Sequence, residues 1–93
     1  MNKDSGFILK IVKQIECKFN CIAYAYLEDT GRWWNICVND YELYMKDEEF
    51  KKFTQNWHII SKKRGVKISF CYCNPVESKL HELANRDNLV MNI

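Results

Sequence analysis

The chain has few of the residues that interrupt regular secondary structure, with one proline and three glycines among its 93 residues. Its composition is instead 47% hydrophobic and 14% aromatic, so we do not expect long disordered stretches. A chain of this length has room for one hydrophobic core. We therefore predict that residues 1–93 form a single domain.

The sequence also lacks a long apolar run and an excess of charge of one sign. Its longest uninterrupted apolar run, Cys21–Leu27, is far too short to cross a bilayer. Lys10 and Lys13 interrupt the apolar residues near the N-terminus, unlike the apolar centre of a signal peptide. A net charge of +2 predicts no general attraction to nucleic acid or to anionic membranes. We therefore expect a cytoplasmic protein without a membrane partner.

Five cysteines is a high number for this length, but the number is odd and no CxxC pair occurs. Secreted disulfide-rich proteins carry paired cysteines in loops, whereas these fall mostly in strand-like segments. The simplest interpretation is that they are reduced cysteines that act as small core residues. We predict no cofactor.

Hydrophobic periodicity predicts an α/β domain in the order α-β-β-α-β-α-β. The predicted elements are a helix over 5–18, strands over 20–28 and 33–39, a helix from Asp47 to Arg64, a strand from Val66 to Tyr72, a helix opened by Pro75 and a strand from Leu89 to Ile93. Two successive strand–helix–strand units favour a mostly parallel sheet, and the first hairpin adds one antiparallel strand. Tyr41–Met45 fits either a loop with aromatic anchors or a short strand.

The hairpin turn Asp29-Thr30-Gly31 would pair Glu28 with Arg32. In that register Tyr24 and Tyr26 join Trp34 on the face that the helices cover. Ala25 and its alternating neighbours then lie on the second face with Trp33. The sequence does not decide whether the first helix covers this second face.

Residues 34–93 resemble the second half of a sulfate-transporter and anti-sigma-antagonist (STAS) domain. The features that match are a strand, the aromatic-Met-acid sequence at 44–47, a helix that stops at Gly65, a strand, a turn at Asn74-Pro75, a helix with Leu80 and a short final strand. The resemblance implies a protein-binding regulator. STAS regulators carry an Asp-Ser phosphorylation motif at the start of the helix, whereas this chain has Lys46-Asp47-Glu48-Glu49 without serine. The first 33 residues do not fit the STAS pattern.

The resulting first hypothesis is a small non-enzymatic interaction or regulatory module that binds another protein or a second copy of itself. Its predicted contact residues are Trp33, Ala25 and Cys37 on the second sheet face, and Asp47, Glu48 and Glu49 at the helix start. The simpler role of Asp47 is an ordinary helix cap. The small size and the Lys-, Asn- and Ile-rich composition also suit an inhibitor encoded by a mobile element.

Three alternatives remain open at this point. Cys73 would be a reactive thiol in a thiol-dependent enzyme or redox protein if a helix begins just after it. Convergence of Cys21, Cys37, Cys71 and Cys73 on one sheet face would suit zinc. The basic cluster Lys62, Lys63, Arg64 and Lys67 would bind nucleic acid in the third alternative. No nucleic-acid partner is expected, and favourable interaction with the helix C-terminus is the simpler explanation of its position.

Overall fold

The computed structural model describes residues 4–73 and 89–91. Within these residues the elements are α1 (Ser5–Phe19), β1 (Ala23–Leu27), β2 (Trp33–Val38), α2 (Tyr41–Lys46), α3 (Glu48–Arg64), β3 (Lys67–Tyr72) and β4 (Leu89–Met91). The chain is therefore a mixed helix and sheet protein with one four-stranded sheet. None of the helices in the described residues is long and apolar enough to span a membrane.

The ends of α3 follow from local chemistry. A carboxylate oxygen of Asp47 accepts a hydrogen bond from the Phe50 N–H at 2.8 Å, which satisfies one of the free donors of the first turn. Gly65 ends the helix with φ of 74°, a left-handed conformation in which a side chain would be strained. Both ends lie where the sequence predicted them. Its apolar side chains recur at helical spacing and face the core: Phe50 and Trp57 are buried, and Phe53 and Ile60 pack beside them.

The strand order is β3-β2-β1-β4. β2 and β3 are parallel, whereas β1 is antiparallel to both of its neighbours, β2 and β4. The prediction of a mostly parallel sheet with one antiparallel hairpin strand is therefore only partly confirmed: among the residues that the structure describes, the hairpin is antiparallel and β2–β3 is parallel, but β1–β4 is also antiparallel. β4 pairs at the far side of β1 rather than beside β3, so the second predicted strand–helix–strand unit does not place its strands side by side.

The predicted hairpin register was wrong by one residue. Leu27 pairs with Trp34, and the Glu28 N–H donates to the Trp33 carbonyl at 3.0 Å, so the turn is one residue longer than predicted. Because side chains alternate between faces along a strand, this shift places every side chain of β1 on the sheet face opposite to the predicted one. The face under the helices carries Ala25, and the opposite face carries Tyr24.

The core lies between the sheet and the two long helices, which cover the same face. Its fully buried members include Ile8, Ile11, Val12 and Ile15 from α1 and Ala25, Ile36 and Trp34 from the sheet. The small side chains Ala23 and Ala25 stand where α1 crosses β1. Aromatic rings join the two helices, because Phe19 of α1 contacts Phe50 and Phe53 of α3 with ring centroids 5.3 Å apart in each case.

The segment that fitted either a loop or a short strand is the helix α2. Asp40 caps it by accepting from the Leu43 N–H at 3.1 Å. Two of its aromatic side chains reach β3: the Tyr44 hydroxyl donates to the Phe70 carbonyl at 3.3 Å, and the Tyr41 ring lies edge-on to Tyr72. The predicted helix after Pro75 lies outside the described residues.

The assignment of Ile36 to the buried face of the sheet predicts how its truncation changes the free energy of unfolding. Ile36→Ala should lower the free energy of unfolding by about 2–5 kcal/mol, because Ile36 is fully buried and its truncation leaves a cavity. Ile59→Ala is the matched control, since Ile59 is 57% exposed on α3 and its truncation should change stability by no more than about 0.5 kcal/mol. Urea denaturation measures both variants, and equal losses would contradict the assigned core.

Candidate functional sites

Three cysteine side chains meet on the sheet face that α1 and α3 leave uncovered. The Sγ atom of Cys37 lies 2.8 Å from that of Cys71 and 3.3 Å from that of Cys73. All three sulfur atoms lie within 4.8 Å of one another. We refer to Cys37, Cys71 and Cys73 as the thiol cluster.

The sheet itself positions this cluster. Cys37 on β2 and Cys71 on β3 are direct partners in the parallel pair, so their side chains point to the same face. Cys73 stands two residues further along, on that same face. Its N–H donates to the Val38 carbonyl at 3.1 Å, which extends the sheet hydrogen bonding past the end of β3. The backbone at all three cysteines is therefore held by strand pairing.

Cys37 and Tyr24 are fully buried at the centre of this face, and Cys71 and Cys73 are partly buried against them. The Tyr24 hydroxyl is buried without a hydrogen-bond partner of ordinary geometry. Burial, and next the thiols of Cys73 and Cys37, raise the pKa of Tyr24 far above its usual value. The hydrogen bond with Cys71, and then burial, likewise raise the pKa of Cys37, so its thiol is protonated at neutral pH.

The structure brings together three of the four cysteines that the sequence grouped. Cys21 is the exception and packs against the core on the helix side, a consequence of the register shift in the hairpin. Burial, followed by the charges of Asp40 and Glu16, raises the pKa of Cys21 to about 11. Cys73 directly follows the last residue of β3, and the helix that would come after it lies outside the described residues.

A second candidate site is a groove along the outer edge of β3, with a volume of about 480 Å³. Its lining combines apolar side chains from α2, α3 and β3 with polar groups on the rim: Tyr44, Met45, Phe50, Lys51, Thr54, His58, Ile68, Ser69 and Phe70, with Trp33 at one end. Trp33 is 42% exposed and Met45 is 46% exposed, so two large apolar side chains face solvent here. We call this the β3 groove.

The backbone of β3 opens toward this groove. In the part of the chain that the structure describes, β3 has one strand neighbour, β2. The backbone N–H of Cys73 points to β2. Along a strand, the backbone N–H and C=O groups of successive residues point alternately to one side and the other. Those of Ile68 and Phe70 therefore point away from β2 and out of the sheet. Tyr44 satisfies the Phe70 carbonyl, and α2 thereby covers part of the edge.

The predicted contact residues are not brought together on one surface. Trp33 is exposed as expected, but Ala25 lies in the core under the helices and Cys37 is fully buried, so neither is accessible to a partner. Ala25 is buried because of the hairpin register. Asp47 acts as a helix cap, Glu48 pairs with Lys51 at 3.3 Å, and Glu49 is exposed beside them.

The basic residues are divided between two parts of the molecule. The Arg64 guanidinium lies over the Phe7 ring of α1, 4.3 Å from its centroid, whereas the Lys67 ammonium lies 5.7 Å from the Trp33 ring centroid. Lys62 and Lys63 are exposed in the last turn of α3, where positive charge favours the helix C-terminus. Arg64 and Lys67 thus contact aromatic rings on different elements, α1 and β2.

Comparison with models of protein families, with curated proteins and with solved structures found no significant match.

The burial of the thiols predicts an order of chemical modification. In the native, reduced protein, iodoacetamide should modify the exposed Cys17 first and the fully buried Cys37 only on unfolding. Because the Cys21 pKa is about 11, its thiolate fraction and its rate should rise about tenfold per pH unit through the neutral and mildly alkaline range. Peptide mass mapping measures each rate, and modification of Cys37 as fast as Cys17 would contradict the structure.

Proposed function

We propose that this chain is a small non-enzymatic interaction module and that its partner is an extended, acidic segment of another protein bound in the β3 groove. The observation that carries the proposal is an edge strand with outward-facing backbone groups beside an apolar groove. Proteins that bind peptides by strand addition combine these two features, since backbone hydrogen bonds give affinity and side-chain pockets give specificity.

The groove is suited to an alternating peptide. A strand laid along β3 would pair with its outward-facing backbone groups and direct every second side chain toward the apolar lining, which includes Phe50 and Phe70. Trp33 stands at one end, where its exposed ring offers an apolar contact. Aromatic anchors of this kind contribute strongly to binding when a partner covers them.

The charge of the rim favours acidic side chains. Lys51 lines the groove, and Lys67 lies over the Trp33 ring at its end. No carboxylate is part of the lining among the residues that the structure describes. Lys51 does pair with Glu48, but exposed pairs of this type contribute little free energy, so an incoming carboxylate can compete for the lysine.

The test is a selection of short random peptides displayed on phage, with the whole chain as bait. Selected peptides should alternate apolar and acidic residues. Nuclear magnetic resonance should show that binding shifts the amide signals of Ile68 and Phe70 and slows their hydrogen exchange, because a new strand protects them. Selection of no binding peptide, or shifts confined to another surface, would refute the proposal.

A pair of neighbouring lysines separates groove contacts from general charge effects. Lys51→Glu should weaken binding of a selected peptide about tenfold, since Lys51 lines the groove. Lys52→Glu makes the same charge change one residue further along the exposed face of α3, outside the lining, and should leave affinity within about twofold. Equal losses in the two variants would indicate general attraction and count against the groove.

Trp33→Ala tests the apolar end of the groove. The variant should fold normally, because Trp33 is half-exposed, and should bind the selected peptide about tenfold or more weakly. Ile59→Ala removes an exposed apolar side chain outside the groove and should bind as the unaltered protein does. Isothermal titration calorimetry measures both affinities, and an unchanged affinity in Trp33→Ala removes the tryptophan from the site.

A further inference from the structure

The strongest feature outside the groove is the thiol cluster on the opposite sheet face. It consists of Cys37, Cys71 and Cys73, whose sulfur atoms lie within 4.8 Å of one another. Small core cysteines are ordinarily dispersed among apolar side chains and need not direct their sulfur atoms at each other. Here two strands direct three sulfur atoms at a common point.

We propose that the thiol cluster binds a single thiophilic metal ion, Zn²⁺ or Cu⁺, through the three cysteine sulfur atoms. Thiolate is the ligand that these ions share, and soft sulfur sites select them over Mg²⁺ and Ca²⁺. The ion displaces the thiol protons, which leave to the buffer, and three metal–sulfur bonds form without any change of oxidation state. The proposal is independent of peptide binding in the β3 groove.

The spacing of the sulfur atoms is close to what such an ion requires. Zinc–sulfur bonds of about 2.3 Å at tetrahedral angles place neighbouring sulfur atoms about 3.8 Å apart. The Cys37–Cys71 and Cys37–Cys73 distances are 2.8 and 3.3 Å, and no sulfur pair exceeds 4.8 Å. To reach that spacing, these two pairs of sulfur atoms would move apart by about 1.0 and 0.5 Å, a shift that small side-chain rotations can supply.

Tyr24 provides an independent observation that points to a ligand. Its side chain is fully buried beside Cys37, its direct strand partner, and its hydroxyl has no hydrogen-bond partner of ordinary geometry. Thiol sulfur atoms accept hydrogen bonds weakly, so a buried O–H donor that faces them is poorly satisfied. A metal-bound sulfur atom would accept this hydrogen bond. Metal ligands commonly make such hydrogen bonds with the groups around them. The ring would also shield the ion from water.

The partial exposure of two cysteines gives an ion access to the thiol cluster, and the number of sulfur ligands distinguishes Zn²⁺ from Cu⁺. Cys71 and Cys73 are only partly buried, so an ion can enter from their side. Three sulfur atoms leave the fourth position of tetrahedral Zn²⁺ to another ligand, such as water. Cu⁺ accepts the same soft ligands without needing a hard one. Separate titrations with the two ions therefore identify which one the site prefers.

The experiment titrates the fully reduced, full-length protein with Zn²⁺ and with Cu⁺ in separate arms, each against a coloured chelator. One equivalent should bind in at least one arm, and Cd²⁺ used as a spectroscopic probe should give a sulfur-to-metal charge-transfer absorption. Cys71→Ser and Cys73→Ser should each weaken binding by more than about a hundredfold, since loss of a ligand exceeds the effect of a neighbouring group. Cys17→Ser is the matched control, because Cys17 is exposed and outside the cluster.

Tyr24→Phe retains the buried ring and removes the hydroxyl, and it should weaken binding about tenfold to a hundredfold. Circular dichroism confirms that each serine and phenylalanine variant is folded before its affinity is interpreted. Cys37 is not substituted, because serine there would bury a new hydroxyl.

Three results would overturn the proposal. The first is the absence of stoichiometric binding of either ion to the reduced protein. The second is binding that Cys17→Ser weakens as much as Cys71→Ser does. The third is a Cys37–Cys71 disulfide that forms by oxidation with dioxygen even when the ion is present, detected as a loss of two hydrogen masses, because oxidised sulfur atoms would not be available as ligands.

Discussion

The hydrogen bond from the Glu28 N–H to the Trp33 carbonyl, 3.0 Å long, sets the register of the β1–β2 hairpin, and the use of both sheet faces depends on it. In this register Ala25 lies opposite Ile36 under the helices, and Tyr24 lies opposite Cys37 on the other side. A shift of one residue would place tyrosine hydroxyls in the apolar core and alanines over the thiols. The hairpin turn between β1 and β2 thus determines both the packing of the helices and the environment of the cysteines.

The packing of α1 explains why this register is stable. A helix can approach a sheet closely where the strand beneath it carries small side chains, and β1 presents Ala23 and Ala25 to α1. The bulk of the core comes from Ile8, Ile15 and the other apolar residues of α1, and from Trp34 at the neighbouring strand. Large tyrosine rings at the alanine positions would separate helix from sheet and leave the remaining core residues with fewer contacts.

Hydrophobic periodicity was enough to predict the main helices and strands, because each has a strong local signal: α3 has a capping aspartate at one end and Gly65 at the other. It was not enough to predict how the strands pair. The apolar residues of β1 occupy both faces, so its alternation is compatible with either register, and only contacts with α1 distinguish them. The same ambiguity placed Cys21 in the thiol cluster and Ala25 on the surface. The convergence of Cys71 and Cys73 followed from strand periodicity alone, whereas the β3 groove has no local sequence signal, because it forms between α2, α3 and a strand distant in sequence.

β3 belongs to both candidate sites, and its geometry keeps them apart. Its outward-facing backbone groups at Ile68 and Phe70 border the groove, while the side chains of Cys71 and Cys73 point to the opposite face of the sheet from the side chain of Phe70. β2 also joins the two sites, because it carries Trp33 of the groove and Cys37 of the thiol cluster. It holds β3 on one side, and the Tyr44 hydroxyl contacts β3 on the other. A ligand at one site would therefore affect the other through the backbone of these two strands, since no described side chain lines both. Any such coupling would be equal in both directions, because the free energy that joins two binding events does not depend on their order.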